Sequence, residues 1–184
     1  MGLIEKTLER LKSEEALVEI WRDALSDDSI IGLVAHLGDE LLAITRVTAG
    51  GLVDGVSVVF LGDVTRVRWD SPLLASIAAL MRAKDVAASI PMMDLSSPER
   101  AVESLAQSCG HLALYIERPE GAARFSGELD DVDDECVVLG EFAAASGGMR
   151  ASILLRADEI TRIDAGGQAD RDLQYLNRQA FQAE

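Results

Sequence analysis

Apolar residues fall along this chain in two alternating rhythms. From Leu3 to Glu14 they return at helical spacing between charged residues, as on one face of an amphipathic helix. The same rhythm recurs from Ser97 to Gln107. There Ser97, Pro98 and Glu99 supply a capping hydroxyl, a proline and an acid for the first turn. Between these helices the pattern shortens. Runs rich in Val, Ile and Leu, broken by Gly and Asp, predict strands over 17–21, 30–36, 41–47, 56–61 and 64–69. A second set is predicted over 112–116, 124–129, 136–142, 151–155 and 160–163. Closing helices are predicted from Ser71 to Arg82 and from Gln168 to Gln182. Residues 83–96, which include Pro91, read as a link.

The two sets share a register. Gly32 matches Gly127 at an offset of 95 residues. At that offset Val34 meets Leu129, Leu37 meets Val132, Asp39-Glu40 meets Asp134-Glu135, and Val47 meets Phe142. Further on, Asp63-Val64-Thr65-Arg66-Val67 matches Glu159-Ile160-Thr161-Arg162-Ile163 at an offset of 96. The extra residue falls where Gly50-Gly51 is answered by Gly147-Gly148, in a turn that tolerates insertion. Ile77 and Leu80 fall on Leu173 and Leu176. A register kept over some fifty residues with one insertion predicts a duplicated unit. The expected fold is mainly β with flanking helices (α+β): two tandem five-stranded antiparallel barrels with pseudo-two-fold symmetry, over 1–90 and 91–184. The helix faces of Leu73, Ile77 and Leu80, and of Leu173 and Leu176, are the expected seam between the units.

Composition narrows the function classes. Hydrophobic residues make up 48% of the 184 positions and aromatic residues only 4%, so the core must be aliphatic. The net charge of −15 repels a phosphate backbone, and no Lys/Arg run offsets it, so no nucleic-acid partner is expected. Cys109 and Cys136 lack disulfide or metal spacing and read as small buried apolar residues in a reducing compartment. The charged N-terminal stretch is no signal peptide, and no apolar run is long enough to span a bilayer. A cytoplasmic protein with no membrane partner is expected.

A family pattern emerges at Gly32. That glycine, with aliphatic residues two, five and nine positions later (Val34, Leu37, Leu41), resembles the first motif of Sm-like (SH3-like) small β-barrels. Gly127, Leu129, Val132 and Cys136 repeat it. The leading helix and five short strands of each unit also resemble that family. The resemblance implies the fold and pairing through edge strands. It does not carry over the RNA site. The family's base-contacting Asn is replaced by Leu42 and Val137, and its Arg-Gly or Lys-Gly step is absent from both units.

The remaining candidates are weighed by chemistry. The acids Asp130, Asp131, Asp133, Asp134 and Glu135 could gather oxygen ligands, but they lack the spacing of a Ca²⁺ loop and read as a solvated hairpin turn. His111 stands two residues from Cys109, a spacing that rarely presents a thiolate–imidazole pair. Gly50-Gly51, Gly147-Gly148 and Gly166-Gly167 precede no Lys-Ser/Thr step and read as hairpin turns. Asp63 and Glu159 read as duplicated turn caps. Trp21 and Trp69, at strand ends, read as core or interface anchors.

No catalytic, cofactor or metal residues are assigned. The expected function is a non-catalytic protein-interaction or assembly module, with a protein partner that could be a second copy (a homodimer). The alternatives are an acidic inhibitor or immunity-type protein occupying a basic site on its partner, and an unrecognised enzyme. The expected contact residues are Asp130, Asp131, Asp133, Asp134, Trp21 and Trp69.

Overall fold

Two serine–proline steps set where helices begin. Ser71 Oγ accepts the Leu74 N–H and Ser97 Oγ accepts the Arg100 N–H, each at 3.3 Å, and a proline opens each helix. The computed structural model describes residues 2–88, 90–118, 122–142 and 150–182. The fold is α+β, with antiparallel strands. The chain divides into two units, Met1–Ile90 and Pro91–Glu184.

The first unit runs α1 (Leu3–Ser13), β1 (Leu17–Arg22), β2 (Ser26–Leu37), β3 (Leu41–Val47), β4 (Val53–Phe60), β5 (Arg66–Arg68) and α2 (Pro72–Ala83). Its strands lie in the order β5-β1-β2-β3-β4. The second unit runs α3 (Pro98–Cys109), β6 (His111–Ile116), β7 (Ala123–Val132), β8 (Cys136–Phe142), β9 (Arg150–Arg156), β10 (Arg162–Ala165) and α4 (Gln168–Gln182). Its order is β10-β6-β7-β8-β9.

Details of pairing recur. Gly32 faces Arg46, and Gly127 faces Glu141. A register shift follows Val34 in β2 and Leu129 in β7. A Cβ on Gly32 would lie 2.1 Å from the Thr45 carbonyl oxygen, and one on Gly127 would lie 2.3 Å from that of Gly140. Only glycine lets the neighbouring strand approach so closely. The Thr65 N–H donates to Trp21 O at 2.9 Å, and the Thr161 N–H to Tyr115 O at 2.8 Å.

In the first unit both sheet faces are covered. Leu8 and Leu11 of α1 pack against Val18, Ile20, Val34, Leu42 and Ile44. On the other face Leu74 and Ile77 of α2 pack with Leu17 and Val47, and Ile31, Leu33 and Met81 close around them. All six residues of β1 are therefore buried. Each fully buried aliphatic side chain contributes about 1.5–3 kcal/mol in transfer free energy. In the second unit α3 buries Ala101, Val102 and Leu105, and β6 buries Leu112, Ala113 and Leu114.

Several expectations are corrected. The fifth strand of the first unit is confined to three residues inside its predicted 64–69, and that of the second keeps four residues but lies two positions later than its β pattern predicts. Residues Leu61–Asp63 and Ala157–Glu159 form 3₁₀ turns, and strand pairing starts only at Arg66 and Arg162. Gly166 and Gly167 lead β10 into α4 and make no hairpin, and Gly147 and Gly148 lie outside the described residues. Leu73 and Leu80 are exposed, because Leu74 and Ile77 are the residues α2 turns to its own sheet. Leu173 is half-buried, and the Leu176 side chain lies outside the described ones. Both cysteines are half-buried thiols, not core residues. Asp63 is half-buried, with no hydrogen-bond partner on its buried Oδ2, and Glu159 is exposed.

Candidate functional site

The pairing of β1 with β5 sets Trp21 opposite Arg66 and Glu19 opposite Arg68. The guanidinium carbons of Arg66 and Arg68 lie 4.6 and 4.7 Å from the Trp21 ring centroid. Each such contact contributes about 0.5–1 kcal/mol near solvent. Asp23, just beyond β1, holds Arg66 in a two-point ion pair, with Nε donating to Oδ2 at 2.8 Å and Nη2 to Oδ1. Thr65 Oγ1 lies 2.6 Å from the same Oδ2. Bonding from Arg66 first, and then from Thr65, holds the Asp23 carboxyl below its ordinary pKa. Glu19 is buried and accepts from Ser29 Oγ at 2.9 Å and Arg68 Nη1 at 3.2 Å.

Trp21 itself is buried and Trp69 is 38% exposed, with Arg10 of α1 5.6 Å from its ring. The two tryptophans, Arg66, Val67 and Arg68 line a shallow recess of 290 Å³. Each arginine of the recess is paired with a carboxylate, so this is an aromatic spot with balanced charges. It presents planar surfaces and charged donors, the chemistry of contact residues. The sequence reading identified both tryptophans but missed the arginines. Their signal was the period-two spacing of Arg66 and Arg68, which sets both on one face of a strand.

The second unit holds a recessed counterpart. Arg162 lies 4.7 Å and Arg124 5.9 Å from the Tyr115 ring. Arg162 bonds both oxygens of buried Asp164, at 2.7 and 2.6 Å, and the Tyr115 hydroxyl donates to Asp164 Oδ2 at 3.2 Å. Burial, and then the Asp164 charge, push the Tyr115 phenol above its ordinary pKa, against the pull of Arg162 and Arg124.

Nearby, Asp170 is buried in the first turn of α4. Its Oδ2 accepts the Gly167 N–H at 3.1 Å. Its Oδ1 lies 3.6 Å from Nδ1 of buried His111 and 3.5 Å from Arg124 Nη2. Neither Oδ1 nor Nδ1 has a hydrogen-bond partner. His111 is thus a buried residue facing a carboxylate on a distant helix, a relation that its spacing from Cys109 does not reveal. Burial, and then the charge of Asp170, push the Cys109 thiol pKa up. A catalytic thiol needs the opposite shift. We expect Cys109 in the folded chain to alkylate with iodoacetamide at pH 8.5 several-fold more slowly than in the urea-unfolded chain. Peptide mapping would refute this by finding equal or faster folded-state labelling.

Of the acidic run, Asp133, Asp134 and Glu135 form the β7–β8 turn, while Asp130 and Asp131 lie at the end of β7. Asp133 Oδ1 accepts the N–H groups of Glu135 and Cys136 at 2.9 and 2.7 Å, which lowers its pKa. Asp130, Asp131, Asp133 and Asp134 are all exposed. Among the described residues no three His, Cys, Asp or Glu side chains are gathered as a metal site. No described helix is long and apolar enough to cross a membrane.

Comparison with protein-family models, curated proteins and solved structures finds no match.

Proposed function

We propose that this chain is a non-catalytic protein-interaction or assembly module, built from two duplicated Sm-like (SH3-like) barrel units. The duplication is supported by the same strand order in each unit, the closely approached glycines, the register shifts two residues beyond them, and the threonine N–H bonds back to β1 and β6. The two free thiols suit a reducing compartment, so the cytoplasm is the proposed location. The strong negative charge argues against a nucleic-acid partner.

One observation carries the interaction reading. Strand β9 is seven residues long and pairs along its length with β8, while its other side has no strand partner among the described residues. Leu154 on it is 64% exposed. A long edge with an exposed aliphatic residue is a template for another strand. A second copy is the occupant we favour, since closed two-fold pairs are the commonest soluble assembly. Sedimentation velocity across a range of concentrations tests it. We expect association in the parent chain and a monomer in Leu154→Lys. A parent chain that stays monomeric at every concentration would overturn self-assembly. The exposed acids at the end of β7 and in the β7–β8 turn favour a second reading, an acidic inhibitor. A strongly basic partner recovered from the native cell, lost on replacing Asp131 and Asp134 with Asn, would select it.

A further inference from the structure

A groove of 910 Å³ opens in the first unit between the end of α1, the β2–β3 face and α2. Leu17, Leu33 and Leu74 line it, and the small side chains of Ala35 and Ala78 leave its space open. One polar side chain of the sheet also lines it. Thr45, in the middle of β3, is 1% exposed, and its Oγ1 has no hydrogen-bond partner. A buried hydroxyl left unsatisfied in aliphatic surroundings costs free energy, which a bound acceptor or donor would recover. Exposed Glu15, Asp70, Arg82 and Asp85, with half-buried Lys12, supply its charged lining, three carboxylates against two cations.

We propose that this groove is a binding site for an uncharged, mainly aliphatic small molecule whose single hydroxyl or carbonyl bonds Thr45 Oγ1. The volume falls in the range of small-ligand sites, roughly 300–1,000 Å³, and its apolar wall of Leu17, Leu33 and Leu74 holds Thr45 as the one polar side chain of the sheet, with the charged side chains lining the rest. An anionic amphiphile is disfavoured by the acidic majority in the lining and by the net charge of −15. The site is separate from the β9 edge and stands whether or not the chain self-associates.

The test uses the full chain with an uncharged fluorophore, N-phenyl-1-naphthylamine, displaced by 1-decanol, with decanoate as the charged comparison. We expect saturable binding at one site per chain, displacement by decanol, and displacement at least tenfold weaker by decanoate. Thr45→Val should melt no lower than the parent, because it removes an unsatisfied hydroxyl. It should also weaken decanol by several-fold to about tenfold, the worth of one hydrogen bond. Ala78→Leu and Ala35→Leu fill the groove from the helix and from the sheet, and whichever of them retains a cooperative melt should lose the probe. The proposal is overturned by probe binding that does not saturate, by a folded filled variant that still binds, by decanoate matching decanol, or by Thr45→Val leaving decanol unchanged.

Discussion

Replacing Gly32 or Gly127 with alanine should destabilise the chain by about 2–4 kcal/mol, the range of overpacking and backbone strain in a closely packed sheet. The added methyl would sit 2.1 Å from the Thr45 carbonyl oxygen in one case and 2.3 Å from that of Gly140 in the other. Neither neighbour is the free end of a side chain. Both are backbone atoms of a paired strand, so relief requires β2 to move off β3, or β7 off β8, and ladder bonds to lengthen. Gly62 supplies the control, because a Cβ there meets nothing within 4 Å. Gly62→Ala should change stability by less than about 1 kcal/mol. Urea unfolding of the three variants decides the matter. If Gly32→Ala and Gly62→Ala have the same midpoint, the close approach has no energetic weight and the reading is wrong.

The second large effect is expected at Ile77. This side chain is 1% exposed and sits among Leu17, Val47 and Leu74. Ile77→Asp removes the aliphatic contact and places a carboxylate where nothing in that cluster can pair with it. A loss of several kcal/mol, about 3–5, is expected from an uncompensated buried charge. Leu80 lies on the same helix but is exposed, so Leu80→Asp should stay within about 1 kcal/mol of the parent. Thermal and urea unfolding of the pair separate burial from helix propensity, because both variants place Asp in α2 and the propensity lost is no smaller at Leu80. Equal losses at the two positions would show that α2 does not dock through Ile77.

What could be read from the sequence was what is written locally. Ser97-Pro98-Glu99 starts a helix through contacts within one turn, and its cap is where the residues place it. The Gly32 and Gly127 spacing marked a special position in each strand, and the close carbonyl supplies its reason. The limits of the fifth strands were not legible. Val64 to Trp69 is rich in strand-forming residues, yet the 3₁₀ turn before it and the bond from Thr65 to Trp21 decide where pairing begins. The candidate sites were hidden for the same reason. Asp170 reaches His111 and Arg124 from a helix far along the chain, and Thr45 meets its groove only once α2 has folded over the sheet. No local period encodes such meetings. They are products of topology.

The strand order also sets a kinetic problem for each unit. Strands β1 to β4 pair with sequence neighbours, but β5 must return to β1, and the Thr65–Trp21 bond spans 44 residues. In the second unit Thr161 and Tyr115 are 46 residues apart. The length-dependent entropy of closing such loops is roughly 3 kcal/mol, against far less for a two- or three-residue hairpin. The meander therefore assembles first and the first strand waits with one side unpaired, which slows folding and leaves the nascent chain open to capture by other strands. The time at which the Thr65 and Thr161 amides become protected in pulsed hydrogen exchange, relative to those of β2 and β7, measures that wait.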